Sequence, residues 1–174
     1  MLKEIFEQPK AVADTLIGRL SDNKQIVLDE LRMSADEIRA LKKITVIACG
    51  TAYHAGMVAK YAIEKWAKIP VEVEIASEFR YRDPIIDAGT LVIAISQSGE
   101  TMDTLMAVRH AKAAGGRVLA ICNTNSSTIP RESDAVLYTH AGPEIAVAST
   151  KALLTQMVAV YLIGLHLAQV NGSL

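Results

Sequence analysis

Five short apolar runs, spaced apart by helical stretches, constrain this chain more than any other feature of it. They are "KITVIACG" (43–50), "VEVEIA" (71–76), "TLVIAIS" (90–96), "RVLAICN" (117–123) and "AVLYTH" (135–140). Each has the length of a strand and a high share of β-branched residues. The first and third are continuous rather than alternating, as expected of parallel strands covered on both faces. After the first run, "YHAGMVAKYAIEKWAK" places Ala55, Val58, Ala59, Ala62, Ile63 and Trp66 on one helical face, with Lys60, Glu64 and Lys68 opposite. After the third, Thr104, Leu105, Val108 and Ala111 share a face, and Gly115-Gly116 stops the helix. Strands and helices alternating at these lengths predict an α/β fold. It is a doubly wound five-stranded parallel sheet with helices on both faces and right-handed crossovers.

Residues 1–43 read as a helical lead-in packing on a domain that occupies 44–174. Val12, Leu16 and Leu20 share one face of its first helix, and Ser34 with Glu37 forms a capping box for a second. Between them "QIVLDEL" fits a short strand or a turn equally well. At the far end, 147–169 reads as one long helix that is apolar on nearly every face, from Leu153 and Leu154 through Met157, Val160, Tyr161 and Ile163 to Leu165. A helix of that kind is buried on several sides. In a chain of 174 residues that asks for a partner, either a second subunit or a further half of the protein. Its longest apolar tract, Met157 to Leu165, is shorter than the roughly 20 residues of a membrane span, which makes it a core helix rather than an anchor.

The formal charge of −1 and the scarcity of aromatic residues give no reason to expect nucleic acid or an anionic membrane as partner. Two cysteines 73 positions apart, Cys49 and Cys122, with no CxxC pairing, fit reduced thiols in a cytoplasmic protein. His54, His110, His140 and His166 show no metal-ligand grouping. No cofactor is called for, since neither GxGxxG nor GxxxxGK[ST] occurs.

The chemistry gathers in three loops, each expected at a carboxyl end of the sheet, where ligands of such folds bind. "CGTAYH" offers Gly50 for a tight turn and Thr51 as cap and hydroxyl donor. "SQSGET" offers Ser96, Ser98 and Thr101 as hydroxyl donors, Gln97 as an amide that donates and accepts, and Gly99 for close backbone approach. A helix N-terminus follows it. "VAST" opens the last helix with Ser149 and Thr150. Neutral donors without a lysine suit a small phosphorylated polyol better than a nucleotide. Other residues have plainer readings. Glu100 is a first-turn acid favoured by the helix dipole. Three histidines lie at or near the surface and His166 lies in the core. Both cysteines are small buried hydrophobes. Lys151 faces either the pocket or solvent.

Taken together, "ACGTAYHAG", "EIASEFRYR", "SQSGETMDTL", "AICNTNSSTIPRESD" and "AGPEIAVASTKA" closely resemble the glutamine–fructose-6-phosphate aminotransferases (glucosamine-6-phosphate synthases). The likeness is to the first of the two sugar-isomerase (SIS) subdomains in their isomerase half, and it covers nearly the whole chain. It implies a site for fructose 6-phosphate or glucosamine 6-phosphate. Thr51, Ser96, Gln97, Ser98 and Thr101 would hold the phosphate and neighbouring hydroxyls, and Val147 and Ser149 would line the sugar. Ala52 stands where members often have a second hydroxyl residue. The resemblance also implies partners: a second isomerase subdomain that supplies the acid–base residues, a glutaminase domain, and a homodimer. On this reading the chain is a substrate-binding piece with little catalysis of its own, and no catalytic residue is assigned within it. Two alternatives keep the fold. One is a free-standing phosphosugar isomerase drawing on His54, Glu78, Glu144 and Lys151. The other is a non-enzymatic sugar-phosphate sensor, for which the lead-in is short and insufficiently basic to be a helix-turn-helix.

Overall fold

The computed structural model describes residues 1–174. Its five strands are β1 (Lys43–Ala48), β2 (Val71–Ile75), β3 (Thr90–Ser96), β4 (Arg117–Cys122) and β5 (Ala135–Tyr138), in the order β2-β1-β3-β4-β5. All pairings are parallel, as the unalternating runs predict. The helices are α1 (Leu2–Phe6), α2 (Gln8–Leu16), α3 (Ala35–Arg39), α4 (Thr51–Ala67), α5 (Ala76–Phe79), α6 (Met102–Ala113), α7 (Thr128–Glu132) and α8 (Lys151–Asn171).

Successive strand residues point to opposite faces, and each face has its own core. Ile44, Val46, Leu91, Ile93, Ile95, Ile121 and Leu137 pack with Ala55, Ala59 and Ile63 of α4 and Ala159, Ile163 and Leu167 of α8. Ile47, Val92, Ala94, Val118 and Ala120 pack with Phe79, Leu105, Val108 and Ile129 from α5, α6 and α7. No residue of β3 is exposed. A fully buried Ile such as Ile93 contributes about 2 kcal/mol by area alone.

The lead-in joins the first of these cores through Ile26, Leu28, Leu31 and Ile38. The capping box forms as predicted: Ser34 N–H donates to Glu37 Oε2 at 2.7 Å and Glu37 N–H to Ser34 Oγ at 3.2 Å. "QIVLDEL" resolves into a single antiparallel bridge between Leu20 and Ile26 followed by a 3-10 turn, Asp29–Leu31. The expected apolar face of the first helix needs correcting. Ala11 and Thr15 are buried, while Leu20 is exposed and lies beyond α2. Polar bonds set this orientation. Thr15 Oγ1 donates to Thr139 O at 2.6 Å, and the buried Arg19 guanidinium donates to Thr15 O and Tyr138 O, each at 2.7 Å. These tie the lead-in to the end of β5.

The last helix starts at Lys151, four residues later than its apolar pattern suggests, because 147–150 is drawn into a loop by Glu144. By length and composition α8 could cross a membrane, yet Ala152, Thr155, Ala159, Val160, Ile163 and Leu167 are buried in this fold. It meets α4 closely at Gly164, where a Cβ would lie 3.3 Å from Ile63 and Trp66. Its outer side keeps Tyr161 exposed and Leu154, Met157, Val158 and Leu165 half-buried, and α4 leaves Met57 and Tyr61 exposed.

Candidate functional site

From β1 the chain crosses to β2 on one side, and from β3 to β4 on the other, so the winding reverses between β1 and β3. Crevices form beyond the carboxyl ends of strands at such a switch point. Here the crevice is a cavity of about 170 Å³, lined among others by Thr51, Ser96, Gln97, Ser98, Thr101, Val147 and Ser149. The structure thus brings together all seven of the candidates read from three separate loops. Neither lysine nor arginine is among the lining residues.

The β3–α6 loop is shaped by its own hydroxyls. Ser96 Oγ, buried at the strand end, accepts from Gly99 N–H at 3.1 Å, and Ser98 Oγ accepts from Glu100 N–H at 3.2 Å. Ser96 Oγ and Thr101 Oγ1 lie 3.4 Å apart. With a backbone amide on one of its lone pairs, Ser98 has its O–H proton left to donate outward, toward an acceptor-rich group, while Ser96 and Thr101 share one proton between them and leave the other free. Thr101 is the N-cap of α6 without a side-chain cap bond, so the first-turn amides of α6 also face the loop unpaired. Gly99 is required twice over. Its φ is +68°, and a Cβ there would sit 2.0 Å from Ser127 Oγ and 2.7 Å from Cys122 Sγ.

In the β1–α4 loop, Gly50 has φ +56° and ψ −136° and is itself the N-cap of α4. Thr51 is therefore the first helical residue and does not cap, contrary to the sequence reading. Its side chain belongs to the cavity lining instead.

The β5–α8 loop is organised by Glu144. Its Oε1 accepts from Thr150 N–H at 2.9 Å, Thr150 Oγ1 at 3.1 Å and Ala152 N–H at 3.2 Å, and its Oε2 accepts from Ser149 Oγ at 2.9 Å. The carboxylate thus serves as an internal anion at the α8 N-terminus. Upstream, Asn123 Oδ1 accepts from Ala141 N–H at 2.8 Å and Thr139 Oγ1 at 3.1 Å, and its Nδ2 donates to Gly142 O at 2.8 Å. It fastens the loop to the end of β4.

Other sequence readings change on contact with the fold. Lys151 faces neither pocket nor solvent. It is 3% exposed, with Nζ donating to Glu7 Oε2 at 2.6 Å. Glu100 supports α7 rather than α6: hydrogen bonds from the Thr128 side chain and amide hold its carboxyl below the ordinary range. Cys122 is buried, and burial pushes its thiol up. Cys49 is only half-buried and lines the cavity. His54 and His140 are exposed. His110 stacks edge-on against Phe79, and His166 Nδ1 lies 3.3 Å from Ile26 O. Pattern reading placed Thr104 on the core face of α6 and passed over Gln156, and both are buried polar residues on the cavity wall. Gln156 carried a signal, as the one amide in the apolar stretch between Ala152 and Leu165.

Fold and site together define a sugar-isomerase architecture, and the chain belongs to the SIS domain family, whose model matches residues 37–165. It is 70% identical over 173 residues to the glutamine–fructose-6-phosphate aminotransferase (isomerizing) of Streptomyces coelicolor, and 67% identical to that of Mycobacterium tuberculosis H37Rv. Each match takes in 99% of this chain, which spans 28% of the relative's length. Among solved structures, the C-terminal domain of glucosamine-fructose-6-phosphate aminotransferase from Francisella tularensis superposes with a TM-score of 0.93 at 50% identity. That match covers 100% of this chain and 48% of the other.

Proposed function

We propose that the chain is the sugar-phosphate-binding SIS subdomain of a glutamine–fructose-6-phosphate aminotransferase, with residues 1–43 as a lead-in packed on the domain. It binds fructose 6-phosphate and glucosamine 6-phosphate for glucosamine 6-phosphate synthesis in the cytoplasm. The observation that carries this is the convergence of Thr51, Ser96, Gln97, Ser98, Thr101, Val147 and Ser149 on one cation-free cavity at the switch point. The phosphate sits at the 96–101 loop, where hydroxyl protons and the α6 amides converge on acceptor oxygens. The sugar extends toward Val147 and Ser149.

The same cavity supports a binding role rather than complete catalysis. Interconverting a ketose and an aldose phosphate needs a general acid and base within hydrogen-bond reach of the carbons. Glu144 is the one carboxylate on the wall, and both its oxygens are taken by the α8 start. The acid–base groups therefore come from a second isomerase subdomain, and ammonia from a glutaminase domain. The matched Francisella domain is about twice this chain's length, which leaves room for such a second half. The exposed Met57, Tyr61 and Tyr161 supply apolar surface for that half or for a dimer partner.

Calorimetric titration with fructose 6-phosphate, glucosamine 6-phosphate and fructose tests the reading, alongside Ser98→Ala. Both phosphates bind, fructose does not, and Ser98→Ala weakens binding by about 1 kcal/mol, roughly fivefold. Failure of the wild-type chain to bind either phosphate sinks it. Proton exchange at C1 of fructose 6-phosphate catalysed by this chain alone would instead select a free-standing isomerase.

A further inference from the structure

The segment 144–150 carries Val147 and Ser149 to the cavity, but its apolar side chains do not anchor it. Ile145 is 89% exposed and Val147 fully so. What holds the segment is a set of carboxylates. Glu144 grips it from within, as described above. Two more come from α1 and its C-cap. Glu4, itself 7% exposed, accepts through Oε1 from Ile145 N–H at 2.7 Å and Ala146 N–H at 3.3 Å. Glu7 Oε2 accepts from the buried Lys151 Nζ at 2.6 Å. One short helix therefore holds both ends of the segment: the residues just before Val147, and the first residue of α8, two beyond Ser149.

Burying Lys151 costs desolvation that its close pairing with Glu7 offsets, and Glu4, whose Oε2 pairs with the Met1 amine at 2.8 Å, gives Oε1 to the loop amides, so these contacts favour one loop conformation over its alternatives. The β3–α6 loop has no such dependence. Its bonds run within itself, to the end of β4, where Asn123 N–H donates to Gln97 O at 3.2 Å, and to α7, where Thr128 and Ile129 N–H donate to Glu100 Oε1 and Gly99 O.

We infer that Glu4 and Glu7 are positioning residues for the sugar end of the cavity. By fixing 144–150 they set Val147 and Ser149, so sugar recognition depends on α1 while phosphate recognition does not. The inference rests on the sugar-phosphate reading of the cavity.

The test titrates the wild-type chain, Glu4→Ala, Glu4→Gln and Glu7→Gln with fructose 6-phosphate and with inorganic phosphate. Amide hydrogen exchange is followed in the ligand-free proteins. Glu4→Ala should weaken fructose 6-phosphate about tenfold and leave inorganic phosphate within about twofold. Glu4→Gln keeps a carbonyl acceptor for both amides and should recover most of the loss. Glu7→Gln, a neutral isostere, should show the same ligand split in milder form, which decides the matter if Glu4→Ala does not fold. Exchange should quicken at 145–151 in Glu4→Ala and stay unchanged at 97–101. Equal weakening of both ligands, or unchanged fructose 6-phosphate affinity in every variant, overturns the inference. If the wild-type chain binds no sugar phosphate, the cavity reading falls, and the exchange arm still decides the clamp: unaltered exchange at 145–151 overturns it.

Discussion

Ser149 Oγ donates to Glu144 Oε2 at 2.9 Å and accepts from Leu153 N–H at 3.1 Å. Its proton is committed, so toward a ligand this hydroxyl acts as an acceptor. Ser98 has the opposite polarity, since its lone pair takes the Glu100 amide and its proton is left to donate. A phosphate only accepts, whereas a sugar hydroxyl can donate. The two ends of the cavity therefore match the two ends of a sugar phosphate.

Glu144→Ala removes the acceptor of three α8-start donors and releases Ser149. Losing a helix cap of this kind costs about 1–2 kcal/mol, which a urea midpoint shift at unchanged m-value would register. Ser149→Ala should cost less stability but weaken fructose 6-phosphate by about 1 kcal/mol, near fivefold. Equal stability of Glu144→Ala and wild type would remove Glu144 from the capping role.

Gly99 and Gly50 separate two reasons for a glycine. At Gly99 a Cβ meets Ser127 Oγ at 2.0 Å and also faces positive φ, whereas at Gly50 nothing lies within 4 Å and only the backbone angle resists. Gly50→Ala should cost about 1–2 kcal/mol, the price of the conformation. Gly99→Ala adds overpacking of about 1–3 kcal/mol and pushes the 96–101 loop off Ser127, so phosphate binding goes with it. Parallel urea titrations of the two variants would show the difference, and comparable losses would refute the packing account.

Much of this was legible in the residues because periodicity reports burial. The buried strands, the core face of α6 and the Ser34–Glu37 box follow from spacing and capping chemistry. The three loops were legible because small hydroxyls recur at three sheet ends, where a single Ser or Thr would read only as a helix cap. What stayed hidden depends on long-range polar partners that no local pattern encodes. The α2 face is chosen by Thr15 and Arg19 binding carbonyls at the end of β5. Lys151 looked like a pocket or surface residue until Glu7, 144 positions away, took it. The late start of α8 likewise depends on Glu144, whose role is visible only in three dimensions.

Acid should loosen the ties of the lead-in. The Lys151 ammonium beside Glu7 holds its carboxyl below the ordinary value of 4.5, and the Ser34 amide and hydroxyl do the same for Glu37. A depressed carboxyl contributes stability above its unfolded pKa and loses it as pH falls through the folded one. Stability should therefore hold from neutrality to about pH 5 and decline below 4.5. Glu7→Gln should flatten part of that decline. Thermal unfolding at pH 7, 5, 4 and 3 gives the slope, and identical slopes for variant and wild type would deny the pair any linkage.

The two cysteines should report the cavity. Thiol reagents attack the thiolate of accessible cysteines. Cys122 is buried, with a thiol pushed up by that burial and a hydroxyl partner in Ser127 at 3.6 Å. Cys49 is half-buried at the end of β1 and on the cavity wall, 3.8 Å from Thr104 Oγ1. N-ethylmaleimide should modify Cys49 in the native chain and reach Cys122 only on unfolding, as peptide mass mapping would show. A ligand seated between β1 and β3 covers Cys49. With fructose 6-phosphate at about ten times its Kd, the labelling rate should fall roughly elevenfold, in proportion to the unliganded fraction. Fructose should give no protection, lacking the phosphate that holds it at the 96–101 loop. Labelling of Cys49 that ignores a sugar phosphate shown to bind would move the ligand out of this cavity.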